Sequence, residues 1–236
     1  MRDQYASDIS DFLKFSFLRA VTGDSRRLGI AWYYLPGHDG RPDGRHVEYK
    51  TERRWRHLDP GVYDQLVGLP EQSVNALEKL SFWPATTLFH SEPVAARRRK
   101  AWLIDMVSKL NAADHVFVDP DNGLGAGATK HARINDLVAL RRNDRAISII
   151  KFPGRHKSHA DQISELHNQL ASLGLPNPIT INTCVSVSNG NGAYVPRHRF
   201  FTIANTDDSI KTRADEYTAR LNRLDRVTRV TARIVE

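Results

Sequence analysis

The sequence predicts an α/β chain: a Rossmann-like three-layer α/β/α sandwich on a mostly parallel central sheet, with an antiparallel C-terminal hairpin. Three observations lead there. Short continuous apolar runs at 28–35 (LGIAWYYL), 115–118 (HVFV) and 146–152 (AISIIKF) read as strands covered on both faces. Segments with apolar residues at helical spacing alternate with them, which is the signature of a parallel sheet layered with helices. Late runs at 179–187 and 199–204 flank the turn-rich SNGNGAYVPRH, the pattern of an antiparallel pair.

The elements follow in order. Residues 8–20 form an amphipathic opening helix with Ile9, Phe12, Leu13, Phe17 and Leu18 on its apolar stripe, behind an acidic start that suits a helix N-terminus. The segment PGHDGRPDGRHVEYK after the first strand is too rich in Gly, Pro and Asp for a regular element and reads as a long functional loop. Two helical pieces, DPGVYDQLVGL and PEQSVNALEKL, each open on a proline. A strand at 86–90 and a long helix at 93–111 come next; the helix starts on the exposed run Arg97-Arg98-Arg99-Lys100. Helices at 134–142, 159–173 (closed by Gly174) and 210–224, then a β-rich tail at 227–235, complete the pattern. No stretch rich in Pro, Gly or Ser divides the chain, so residues 1–236 are expected to form a single catalytic domain.

Composition narrows the function classes. The apolar runs are far shorter than the roughly 20 residues a membrane span needs, and the acidic start lacks the basic and apolar regions of a secretory signal. Cys184 is the single cysteine, which excludes an intrachain disulfide and a cysteine zinc cage; a cytoplasmic location is expected. The net charge of +7, carried more by Arg than by Lys, points to a polyanionic partner, and DNA is the expected one. GxxxxGK[ST], a GxGxxG after the first strand and a GxSxG elbow are all absent, and no cofactor is expected.

Ligands of open α/β sheets bind outside the carboxyl ends of the strands. Four loops there collect polar residues. The first carries His38, Asp39, Asp43, Arg45 and His46, at spacings that match no metal signature. The second carries Ser91 and Glu92. The third is Asp119-Pro120-Asp121-Asn122-Gly123, which holds a carboxylate and an amide rigidly at the sheet mouth; the same residues also suit an ordinary turn. The fourth, Pro153 to His159, gathers Arg155, His156, Lys157, Ser158 and His159, where Ser158 also serves as an N-cap. Basic runs at 97–100, 53–56 and 141–142 suit phosphate contacts or a solvated face, and Trp32, Tyr33, Tyr34, Trp55, Phe82 and Trp83 suit the core or a stacking ring.

Two family resemblances arise from these segments. HVFVDPDNGL, the strand SIIKF and the late pair TINTCVSV and RFFTIAN are similar to the back half of amino-methyltransferases, whose D-P-P-Y loop grips the base; here Asp121 and Asn122 fill its last two positions, and no glycine-rich donor loop is seen early in the chain. Asp119-Pro120 with Asn122, and Pro153 with His156 and Ser158, resemble the water-activating and His-Pro-Ser loops of the uracil-DNA glycosylase superfamily, in particular antiphage glycosylases that act on glucosylated hydroxymethylcytosine. That resemblance implies base flipping and excision from phage DNA. Asp119 or Asn122 would serve the water and the sugar cation, and His156 or His159 the departing base. Asp43, Arg45, His46, Asp121, Gly123, Pro153, Arg155 and Ser158 would bind substrate. Methyl transfer to nucleic acid and non-catalytic nucleic-acid binding are the alternatives.

Overall fold

A computed structural model describes residues 1–37, 40, 46–127, 129–188, 191, 193–228 and 230–236, without the side chains of 225–228. Seven strands form one sheet: β1 (Leu28–Trp32), β2 (Leu88–His90), β3 (His115–Asp119), β4 (Ala146–Lys151), β5 (Ile179–Ser188), β6 (Tyr194–Ala204) and β7 (Val230–Val235). Their order is β2-β1-β3-β4-β6-β5-β7. The first four are parallel; β6 runs antiparallel between β4 and β5, and β7 pairs antiparallel with the outer side of β5. The predicted α/β class therefore holds. The hairpin does not form the sheet's edge, because the C-terminal tail adds a further strand beyond it.

Both faces are covered. Side chains alternate along each strand, so Ile30, Trp32, Phe117 and Ile150 join one core while Ala31, Tyr33, Val118 and Ile149 join the other. The first face carries α1 (Ile9–Thr22), α2 (Pro60–Val67), α3 (Val74–Glu78) and α7 (Asp208–Thr228); the second carries α4 (Arg99–Lys109), α5 (Ile134–Leu140) and α6 (His159–Ser172). The opening helix is not amphipathic in place. It is buried almost all round, with Phe17 stacked on Phe201 at 4.9 Å and the Leu13 carbonyl accepting from the Tyr217 hydroxyl at 2.8 Å.

Two boundaries shift for clear reasons. β1 stops at Trp32 because the next backbone groups pair elsewhere: the Leu35 amide donates to the Met1 carbonyl and the Tyr34 carbonyl accepts from Val94. After that second bond Ala95 is extended, so the helix read from residue 93 begins only after a short turn at Ala96–Arg98. The run at 97–100 is consequently not a uniform exposed face. Arg99 is buried and pairs with Asp136, with its guanidinium 4.5 Å from the Trp102 ring.

From β1 the chain turns to β2 on one side and later returns to β3 on the other, which makes the β1/β3 border the topological switch point and the ground on which a ligand site is built. Close helix packing fixes that border from behind. A Cβ on Gly29 would stand 2.8 Å from the Ala113 Cβ and 3.3 Å from Leu110 Cδ2. Gly29→Ala is therefore expected to cost about 1–3 kcal/mol through overpacking; urea denaturation checks it, and an unchanged midpoint would contradict the tight approach.

Candidate active site

β3 delivers Asp119 as its last residue, paired in register with Trp32 of β1. Four fully buried residues precede it, so its carboxylate leaves the sheet against low-dielectric walls; the residue is 4% exposed. A carboxylate in that position needs a partner, and Lys14 supplies one from α1, with Nζ 2.8 Å from Asp119 Oδ2 and 2.7 Å from Asp11 Oδ1. Burial pulls the Lys14 ammonium down, yet the Asp11 and Asp119 carboxylates outweigh it and hold its pKa above the ordinary value. The rings of Phe15 and Trp32 lie 5.4 and 5.5 Å from the same nitrogen.

The approach to α1 is pinned with equal care. Ser7 sits in the left-handed region at φ 64°, its amide donating to Asp11 Oδ2, its carbonyl accepting from Tyr49 and its hydroxyl accepting from Lys50. Asp8 then caps the helix by accepting from the amides of Ser10 and Asp11 at 2.7 and 3.0 Å. Burial first, and the Asp11 charge second, raise the Asp8 carboxyl to about 7 against the opposing pull of Arg199. Arg199, at the buried part of β6, donates from Nε to Ser10 Oγ at 2.8 Å.

These groups line a cavity of about 670 Å³ between the start of α1, the ends of β3 and β4 and the outer half of β6. His46, Asp119, Asp121, Asn122, Pro153, Arg155 and His159 are among the residues around it, so the third and fourth loops do converge. Asp121 is engaged, 2.7 Å from the Met1 amine and 3.8 Å from Arg2 Nε. Asn122 is exposed, and its amide donates to the Lys130 carbonyl at 2.9 Å. Gly123 shapes the turn: its φ is 76°, and a Cβ there would stand 3.0 Å from the Lys151 side chain.

Other expected residues fall elsewhere. His156 is exposed and does not line the cavity; His159, three residues on, does, with its ring 4.2 Å from that of His198. Burial, then His159 and nearby arginines, push the His198 imidazole below its ordinary range, and its Nδ1 meets Asn182 Oδ1 at 3.1 Å. Ser158 is an exposed N-cap that accepts from the Asp161 amide at 3.1 Å. Glu92 uses its carbonyl to accept from Trp102 Nε1 and does not line the cavity, nor does Ser91. His38, Asp39, Asp43 and Arg45 lie outside the described residues.

The sequence reading passed over Asp8, Asp11, Lys14 and Arg199. Asp11 and Lys14 stand three apart on a helix, a spacing that normally marks a solvated surface pair. Their signal was the flanking apolar density, which leaves that helix no free face. Part of the basic runs, by contrast, is neutralised locally: Arg54 by Glu52, Arg56 by Asp64, Arg99 by Asp136 and Arg142 by Asp144.

No protein-family model and no curated protein matches the chain. Among solved structures it is similar to a Legionella pneumophila protein described by the family model DUF519, at 13% identity and a TM-score of 0.45 over 98% of both chains. It is also similar to the mitomycin 7-O-methyltransferase MmcR, at 11% identity and a TM-score of 0.28 over 84% of this chain and 55% of that one.

Two measurements test the buried cluster. Lys14→Met leaves Asp11 and Asp119 facing each other without a cation, a change expected to cost about 3 kcal/mol or more. The loss should be larger at pH 8 than at pH 5, where the carboxylates can take up protons; a loss independent of pH would contradict the pairing. Asp8→Asn keeps a capping oxygen but removes a group that binds its proton more tightly folded than unfolded. Wild type should therefore lose stability relative to Asp8→Asn as pH rises from about 4 to 7, and parallel stability curves would contradict this.

Proposed function

We propose that the chain is a DNA glycosylase that receives one flipped, modified base in this cavity and hydrolyses its N-glycosidic bond, leaving an abasic site. The observation that carries the reading is a buried carboxylate, Asp119, paired with a buried lysine at the floor of a cavity with a basic rim. Glycosidic cleavage passes through an oxocarbenium-like sugar, and a fixed negative charge beneath it stabilises the charge that develops. Asp119 fills that role, and Asp8, poised to about 7, takes the proton of the attacking water as its oxygen bonds to C1′. The C1′–N bond breaks with its electron pair going to the base, which His159 meets with a hydrogen bond, and the proton that Asp8 took from the water passes through solvent to the base. The volume suits a base enlarged by a sugar, as in glucosylated hydroxymethylcytosine, and the cationic rim offsets the few kcal/mol of unstacking that flipping requires.

One observation favours a second reading, methyl transfer to a base amine. The Asp-Pro loop after β3, the neighbouring strand β4 and the late antiparallel pair of β5 and β6, on which the amino-methyltransferase resemblance rests, lie side by side in the sheet. Against it, β1 runs into Tyr33, whose ring is fully buried against Trp102 and whose hydroxyl donates to Asp136 at 2.9 Å, where that family has glycine-rich backbone.

Incubation with DNA carrying glucosylated hydroxymethylcytosine separates these chemistries. Alkali-labile sites and free modified base are expected, with kcat reduced about 100-fold or more in Asp119→Asn, which keeps an oxygen for Lys14. Methyl incorporation from a methyl donor, with no abasic sites, would replace the first reading by the second; binding without either product would leave a nucleic-acid-binding protein.

A further inference from the structure

The six aromatic residues that the sequence offers as stacking candidates are core or packed on it, so none is free to stack on a ligand. Trp32, Tyr33, Trp55, Phe82 and Trp83 are buried, and Tyr34 packs partly buried against them. Phe152 is the reverse case. The strand β4 buries Ile149 and Ile150, ends at Lys151, and then presents Phe152, which is 43% exposed although it is a large apolar side chain. A single exposed phenylalanine needs no explanation by itself. This one lines the cavity mouth together with Lys130, Arg155 and Arg197. None of those three cations has an ion pair among the described residues, unlike Arg54, Arg56 and Arg142 on the outer surface.

An exposed ring beside unneutralised cations is the composition of a single-strand path, in which bases stack on aromatic faces while the backbone follows positive charge. A duplex offers no free base face to such a ring; an unpaired strand does. We infer that Phe152 is a stacking platform for the base next to the one in the cavity, and that the substrate class is single-stranded or locally unpaired nucleic acid. The inference shares the cavity with the glycosylase reading but needs no chemistry, so its test is a binding test.

Fluorescence anisotropy with labelled oligothymidylate and oligouridylate of about 12 nucleotides, and with a duplex of the same length, measures it. The single strands are expected to bind more tightly than the duplex. Phe152→Ala should weaken single-strand binding about tenfold while leaving duplex binding unchanged, and Phe152→Trp should restore it. Arg155→Ala should instead lower the slope of log K against log salt by about 0.7 on the single strand, a slope that Phe152→Ala leaves alone. Because Phe152 is outside the core, circular dichroism of the Ala variant should match wild type. Equal loss on both nucleic acids, no loss on either, failure of tryptophan to restore binding, or a preference for duplex would each overturn the inference. Single-strand stacking without abasic sites would sink the glycosylase reading and leave this one standing; abasic sites without a Phe152 effect would do the opposite.

Discussion

Lys14 is the interaction on which the rest depends. It pairs with both Asp11 and Asp119, it lies in the first α-helix, and Asp119 ends the central strand β3, so one ammonium ties the outer layer to the sheet at the switch point. A buried ion pair is weak evidence for stability, since an apolar replacement of the whole set is often as stable. Its presence beneath the cavity is better explained by what it keeps there: a carboxylate at fixed position, with low-dielectric walls that strengthen its field on anything bound.

From that constraint the neighbouring features follow. Asp8 stands one turn before Asp11, so a helix cap becomes a second carboxyl whose charge is disfavoured by burial and then by the Asp11 carboxylate. Arg199 answers Asp8 from β6, donates to Ser10 and brings the outer hairpin into the same wall. The third loop can then be short and rigid, because Asp121 is tied to Met1 and Gly123 closes over Lys151. The cavity thus opens between elements far apart in sequence, which is why its floor is acidic and its rim basic.

The layered fold was legible because buried parallel strands leave plain apolar runs, and β3 in particular points its last residue at the mouth. The loops after β3 and β4 were legible as neighbours for the same reason. What was not legible depended on tertiary context. Charged residues in α1 look like a solvated stripe until the helix is seen packed on every side. The choice between His156 and His159, both named from the sequence, is a matter of phase at the turn into α6, where Ser158 is spent on capping and the next residue turns inward. Phe152 read as the end of an apolar strand, although β4 ends one residue earlier.

The claim that Lys14 and Asp119 act as one unit is tested most directly by a double-mutant cycle on unfolding free energy, using Lys14→Met, Asp119→Leu and the pair together. The account predicts that the double variant is less destabilised than the sum of the single ones by about 2 kcal/mol or more, because Lys14→Met leaves Asp119 buried opposite Asp11 without a cation and the double change removes that carboxylate. Additivity within about 0.5 kcal/mol would contradict it, and the carboxylate would then have to be held by some other group.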